Sequence, residues 1–500
     1  MLPLIPILSL TAAAQEVAEP PAEPLVEALA APPEEPLPTC RPREWSGEFT
    51  DATAETAAAR PEAIAALEAW AFPELSEEDE AERLGIRTEG LLVYQGGALL
   101  YERYDRGYTA ESPHLTWSAS KTFTSALTAI AVRDGLLSLD ASICDHITPT
   151  NPDNCVITVE DLLTFSSGLQ WRETYEGDPP TTSSVVSMLY GDGIDDMSAF
   201  ISSAARASEP GSTWQYSSGD TTLLAAVLQA AMVPKYGEDY AWSALFEPLG
   251  MEGVVWEEDG AGTLVGSSYL YAPPRSLARF GHLWLDDGCW MGDRVLPEGW
   301  VMSATSVSAA IQQTALDRTT GSQGWQVWLN QPVVALGDTT PPWTAAPVTA
   351  YAAQGHWKQR IVMIPSHDMV IVRVGDDRDG MFDNNDLFAL SMAVGESTVH
   401  DLPPVPEPMA EPTGTLAESV PLEFDTGLLR IASNYGARLA CSCLFVMEQD
   451  EAYCTDWVRA SPDIVKLKID IEEKTVTAKA LGIVKTRARW IDERSGCQYE

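Results

Sequence analysis

A few stretches of this chain show a clear hydrophobic pattern, and each one predicts an element. GLLVYQGGALLYERY (residues 90–104) places two apolar, β-rich runs around a Gly-Gly pair, which predicts a hairpin. QRIVMIPSHDMVIVRVG (359–375) predicts another, with Ile361–Ile364 and Met369–Val374 joined by a Pro-Ser-His-Asp turn. SKTFTSALTAIAVRDG (120–135) has the period of a helix, with Phe123, Leu127 and Ile130 on one face, Arg133 in the last turn and Gly135 as the stop. Toward the end, IVKLKIDIEEKTVTAKAL (464–481) alternates Val465, Leu467 and Ile469 with Lys466, Lys468 and Asp470. That is a half-buried strand, followed by a Glu-Glu-Lys turn and a second strand.

Other stretches have no periodicity. Residues 15–42 are dominated by Pro, Ala and Glu, and His400–Gly414 is a second Pro-rich run, so both read as linkers. The chain opens with MLPLIPILSLTAAAQ, an apolar run followed by small residues, which has the length of a secretory leader. The organisation expected is a signal peptide at 1–14, a linker at 15–42, a catalytic domain at 43–399, a linker at 400–420 and a small Cys-rich domain at 421–500. Eight cysteines, an even number, agree with export to an oxidising compartment, periplasmic or secreted, in a bacterium. Cys144 and Cys155 flank a Pro/Asn/Asp turn and suggest a local bridge. Cys441, Cys443, Cys454 and Cys497 lack the paired Cys-x-x-Cys spacing of a zinc site, so disulfides are favoured.

Composition narrows the function further. A formal charge of −42 repels nucleic acid and anionic membranes, which excludes a nucleic-acid partner. Beyond the leader, no segment reaches the roughly 18–20 apolar residues of a membrane span. There is no G-x-S-x-G elbow, H-E-x-x-H, P-loop or G-x-G-x-x-G. No metal or organic cofactor is implied.

One chemical pattern remains. Ser-x-x-Lys occurs once, as Ser118 and Lys121 in WSASKTF. The two side chains project from one face of the predicted helix, with Ser118 at its start, where free N–H groups and the helix dipole favour an oxyanion. Burial beside Trp117 and Phe123 would lower the lysine pKa enough for it to act as a base. Two further stretches follow in order. EPGSTWQYSSGDTTLLAAVL (209–228) places Tyr216 and Ser218 just before an apolar helix, and AAQGHWKQRIVMIP (352–365) places Gly355 and His356 just before a strand.

Taken together, these motifs resemble the penicillin-recognising serine hydrolases, a group that includes class C β-lactamases, D-alanyl-D-alanine carboxypeptidases, family VIII esterases and 6-aminohexanoate-dimer hydrolases. The connecting segments ITVEDLLTFSSGLQW (157–171), LFEPLGM (245–251), RSLARFGHLWLDDGCW (275–290) and GWQVWLN (324–330) extend the resemblance over roughly residues 60–395. The forms YSSGDT and GHWKQRIVMIPS are most similar to the 6-aminohexanoate-dimer hydrolase and esterase branch. The resemblance implies an α/β fold in which an antiparallel sheet is flanked by helices and an all-helical lobe is inserted after the Ser118 helix, with the small disulfide-rich, β-containing domain behind it.

The resemblance also implies roles. Ser118 is the nucleophile, Lys121 its base and Tyr216 a proton relay; Ser218 hydrogen-bonds Lys121 or substrate, and His356 orients substrate. The N–H groups of Ser118 and Gln359 form the oxyanion hole. Lys358 departs from the Gly usual in relatives, which suggests a narrowed cleft or a carboxylate contact. The expected activity is hydrolysis of ester or amide bonds of small molecules or peptides through an acyl-enzyme on Ser118. The alternatives are a D-alanyl-D-alanine carboxypeptidase-like peptidase and a penicillin-binding sensor that does not turn over. The terminal segment is similar to a Cys-containing module attached to some of these hydrolases. The pairing expected there is Cys441–Cys497 and Cys443–Cys454, which leaves Cys40 with Cys289, and Cys441 and Cys443 are expected to share a strand face.

Overall fold

The computed structural model describes residue 40 and residues 49–175, 178–313, 322–333, 340–396, 422–459 and 463–500. The expected leader and most of both linkers lie outside them. The centre is an eight-stranded sheet. Its strands run in the order Thr50–Asp51, Ala98–Tyr104, Thr88–Gln95, Met369–Gly375, Gln359–Ile364, Tyr351–Gly355, Trp328–Leu329 and Ser322–Gln323. All neighbours are antiparallel except the first pair, in which Thr50–Asp51 lies parallel to Ala98–Leu99.

Both predicted hairpins lie in this sheet, and their side chains alternate between two cores. Leu91, Val93, Met369 and Ile371 pack on one face with the helices Pro61–Ala71 and Asn384–Val394. Leu92, Tyr94, Val370 and Val372 pack on the other, toward the helical lobe. Covering both faces explains why these strands read as nearly unbroken apolar runs.

The helix Ser120–Arg133 lies within the second core and is buried from Ser120 to Ala131. Its Phe123 ring stacks on Phe280 of the helix Pro274–Leu285 at a centroid distance of 3.6 Å. A second buried helix, Ser218–Tyr236, packs beside it. The lobe between these helices is largely helical. Outside this lobe, the short strands His114–Leu115, ahead of the first helix, and Val255–Trp256, beyond the second, each pair with Leu270–Ala272 in a small three-stranded sheet. The Thr116 N–H and hydroxyl both donate to the Leu270 carbonyl, at 2.8 Å each.

The C-terminal segment folds as two helices, Leu428–Phe445 and Glu451–Trp457, and a four-stranded antiparallel sheet formed by Val465–Asp470, Thr475–Ala480, Val484–Asp492 and Gly496–Tyr499. The first strand has Val465, Leu467 and Ile469 turned inward and its intervening residues exposed, following its sequence alternation. Cys441 and Cys443 are not on a strand. Both are buried in the helix Leu428–Phe445, because RLACSCLF continues a helical apolar face that the sheet covers. Four disulfides join Cys40 to Cys289, Cys144 to Cys155, Cys441 to Cys497 and Cys443 to Cys454.

Candidate active site

Ser118 lies in a single 3₁₀ turn, Trp117–Ala119, directly ahead of the buried helix Ser120–Arg133. Trp117 has a left-handed backbone (φ 49°), which turns the chain sharply into the helix. The turn is held by the Ser120 hydroxyl, which donates to the Trp117 carbonyl at 2.6 Å. Ser118 is half-buried, and Lys121, one turn on, is 2% exposed.

The three ammonium protons of Lys121 all have acceptors. Its Nζ lies 3.0 Å from Ser118 Oγ, 2.9 Å from Ser218 Oγ and 3.2 Å from the Ser267 carbonyl. Burial lowers its pKa from the ordinary 10.5 to about 8, against the opposing pull of the Glu173 carboxylate. Once deprotonated, the amine can keep its bonds to Ser218 and Ser267 and turn its lone pair to Ser118.

Tyr216 comes from the loop ahead of the helix Ser218–Tyr236. Its ring lies between Phe165 and Trp328, at centroid distances of 5.1 and 5.6 Å, with Lys121 Nζ 4.9 Å from its own centroid. Burial, reinforced by Glu173, drives the phenol well above its usual value, and a hydrogen bond with Ser118 only partly offsets this. The phenol is therefore protonated across the neutral range.

Glu173 is the residue that sequence reasoning missed. The Ser218 hydroxyl donates to its Oε1 at 2.6 Å and the Ser218 N–H to its Oε2 at 2.9 Å. The Tyr175 hydroxyl and the Trp171 indole N–H also donate to this carboxylate. Because Ser218 gives its own proton to Glu173, its oxygen can accept only from Lys121, so the bonds form a directed chain from Lys121 through Ser218 to Glu173. The signal lies in W-R-E-T-Y, which begins at Trp171, the last residue of a segment already singled out.

The hairpin turn His356–Lys358 closes the other side. Gly355 touches the segment before Ser118 so closely that a Cβ there would lie 2.0 Å from the Thr116 carbonyl oxygen. The His356 ring meets Trp117 edge-on at 5.7 Å and stacks on Tyr175 at 5.0 Å. Gln359 begins the next strand opposite Gly355, and its side chain turns away to exchange hydrogen bonds with the backbone of Gly375. Lys358 has φ 69° and is half-buried. Burial, then Arg360, holds its ammonium below the usual lysine value, and the other charges acting on it are Asp377, Arg373 and Asp379. Ser118, Lys121, Tyr216 and Ser218 thus converge with Glu173, His356 stands at the edge of this group, and Lys358 belongs to a separate charged cluster. Among the described residues, no group of His, Cys, Asp and Glu side chains is arranged to hold a metal.

This chain is similar to known proteins over the same region. The Beta-lactamase family matches residues 76–393. A 6-aminohexanoate-dimer hydrolase of Paenarthrobacter ureafaciens is 26% identical over 240 residues, covering 43% of this chain and 56% of the relative; the chain thus matches little more than half the length of that protein. Among solved structures, EstCE1, a hydrolase with promiscuous acyltransferase activity, superposes with a TM-score of 0.50 at 14% identity, covering 67% of this chain and 99% of its own. A penicillin binding protein from Bacillus halodurans gives a TM-score of 0.45 at 14% identity, covering 63% and 96%. The match over residues 76–393 spans well over half of the protein, and the chain belongs to the Beta-lactamase family, as a β-lactamase-related serine hydrolase.

Proposed function

We propose that the protein is an extracytoplasmic serine hydrolase that cleaves ester or amide bonds of small molecules or peptides through an acyl-enzyme on Ser118. The observation that carries this reading is the position of Lys121: a buried amine 3.0 Å from Ser118 Oγ, with its pKa lowered to about 8. Lys121 takes the Ser118 proton as Oγ attacks the carbonyl carbon. The N–H groups of Ser118 and Gln359 receive the oxyanion. The protonated Tyr216 phenol gives its proton to the leaving alcohol or amine and recovers one from the Lys121 ammonium. Water then attacks the acyl carbon by the reverse relay, which releases the acid and restores Ser118. Glu173 acts through Ser218 as a positioning residue for Lys121. The four disulfides support an oxidising location.

A fluorophosphonate probe and a panel of p-nitrophenyl esters, linear amides, a chromogenic cephalosporin and D-Ala-D-Ala peptides test the reading. Ser118 is expected to carry the label, and Ser118→Ala to lose both labelling and turnover. Labelling at another residue, or turnover that survives in Ser118→Ala, would overturn it.

A further inference from the structure

Beside the candidate site lies a cavity of about 880 Å³ that the reaction steps above do not use. One wall comes from the hydrolase body, with Trp117, Tyr175 and His356 on it; the other comes from the C-terminal segment, with Ile431, Val458 and Leu467. The three rings on the first wall are the same ones that fence the Ser118 cluster. Trp117 precedes Ser118, and Tyr175 stacks on His356 while donating to Glu173. The size falls within the range of small-molecule sites, roughly 300–1,000 Å³. The remaining lining is mainly aliphatic and aromatic. The charged side chains, Arg378, Arg459 and Lys466 against Asp178 and Asp463, do not commit the wall to either sign. Arg378 is already engaged, donating to Asp376 and to the Trp457 carbonyl and lying 3.9 Å from the Trp357 ring centre.

We propose that this cavity binds an uncharged, extended apolar substituent of the substrate, such as an alkyl chain of about six carbons or more or an aryl equivalent, and that the C-terminal segment sets the enzyme's specificity by supplying the outer wall. The cavity shares Trp117, Tyr175 and His356 with the surroundings of Ser118, which places an apolar substituent of a bound substrate within its reach. The proposal rests on the serine hydrolase reading for its kinetic consequence, whereas the binding of an apolar probe does not.

Two series of esters test it on the full-length protein: p-nitrophenyl esters from acetate to laurate, and acetate esters of lengthening alcohols. Burial of a methylene contributes about 0.8 kcal/mol, so kcat/KM should rise up to about fourfold per carbon in one of the series until the cavity is full. Ala432 lines the same cavity. Ala432→Phe should cut the long-to-short preference at least tenfold, and Leu467→Ala should move the optimum to longer chains. A folding defect cannot shift selectivity in these opposite directions. N-phenyl-1-naphthylamine, titrated into Ser118→Ala protein, should bind one per chain, and at least tenfold more weakly once Ala432→Phe is added. Rates independent of chain length in both series, unchanged selectivity in Ala432→Phe, or a dye that ignores the filled cavity would each overturn the proposal. If Ser118 fails to label while the dye still responds to Ala432→Phe, the hydrolase reading fails and the cavity stands.

Discussion

The chemistry at the residue scale turns on how Lys121 is kept close to Ser118 and made easier to deprotonate. Desolvation alone would lower its pKa further, and Glu173 works against it, with the balance at about 8. A base acts in its neutral form, so kcat/KM should climb with pH along a limb centred near 8. Glu173→Gln removes the opposing negative charge, so the lysine pKa falls and this limb moves to lower pH. The same change weakens the charged hydrogen bonds that hold Ser218, worth about 1.5–3 kcal/mol, so the plateau rate should drop at least about tenfold. A pH–rate profile of both proteins decides the matter. A plateau loss with an unmoved limb would show that Glu173 only shapes the loop.

The element that brings His356 and Gln359 to Ser118 is the hairpin formed by Tyr351–Gly355 and Gln359–Ile364, and it approaches through Gly355. Its contact is with backbone, since the atom in the way is the Thr116 carbonyl oxygen, which is itself fixed by the small sheet around Leu270. Gly355→Ala should therefore push the hairpin away, costing about 2 kcal/mol on the scale of overpacked sites and slowing acylation in parallel. Urea unfolding and fluorophosphonate labelling rates measure the two effects; a variant with both unchanged would contradict a tight approach here.

The same elements show what the sequence could and could not reveal. The hairpins and the helix after Ser118 were legible because each carries its own period and its own stop, down to the left-handed Gly135. That Ser118 and Lys121 meet was legible from their spacing of one helical turn, whereas a part for Tyr216 was expected only from the resemblance. Glu173 was not legible, because a single acid in a loop has no periodicity, and its meaning arises only when the loop folds onto Ser218. Cys441 and Cys443 were misread because two residues two apart fit a strand face, while the longer apolar stripe of the helix Leu428–Phe445 decides their conformation.

At the scale of the whole molecule, the question is whether the C-terminal segment is an appendage or part of one cooperative body. Its helix carries Arg438, 1% exposed, whose Nε donates to the equally buried Glu257 at 2.9 Å and whose Nη2 donates to the Glu258 carbonyl at 2.8 Å. Ser442 and the Cys497 N–H also donate to Glu257, so this carboxylate from the hydrolase body organises a helix and a strand of the C-terminal segment together. On the opposite side, the Tyr453 hydroxyl donates to Glu89, which also bonds His114, and Trp357 meets Trp457 edge-on at 5.6 Å. Removing one member of a buried ion pair leaves the other uncompensated, at a cost of about 3–5 kcal/mol, whereas replacing both with apolar side chains of similar volume is often nearly neutral. Arg438→Met should therefore destabilise the whole protein by that amount in urea, and Arg438→Met combined with Glu257→Met should recover much of the loss. Intrinsic tryptophan fluorescence and far-ultraviolet circular dichroism should follow one shared transition in the parent, since Trp457 and the sheet Val465–Tyr499 unfold with the body they rest on. Two separated transitions would mean that the segment folds independently, and the wall it lends to the cavity beside Ser118 could then open without unfolding the rest.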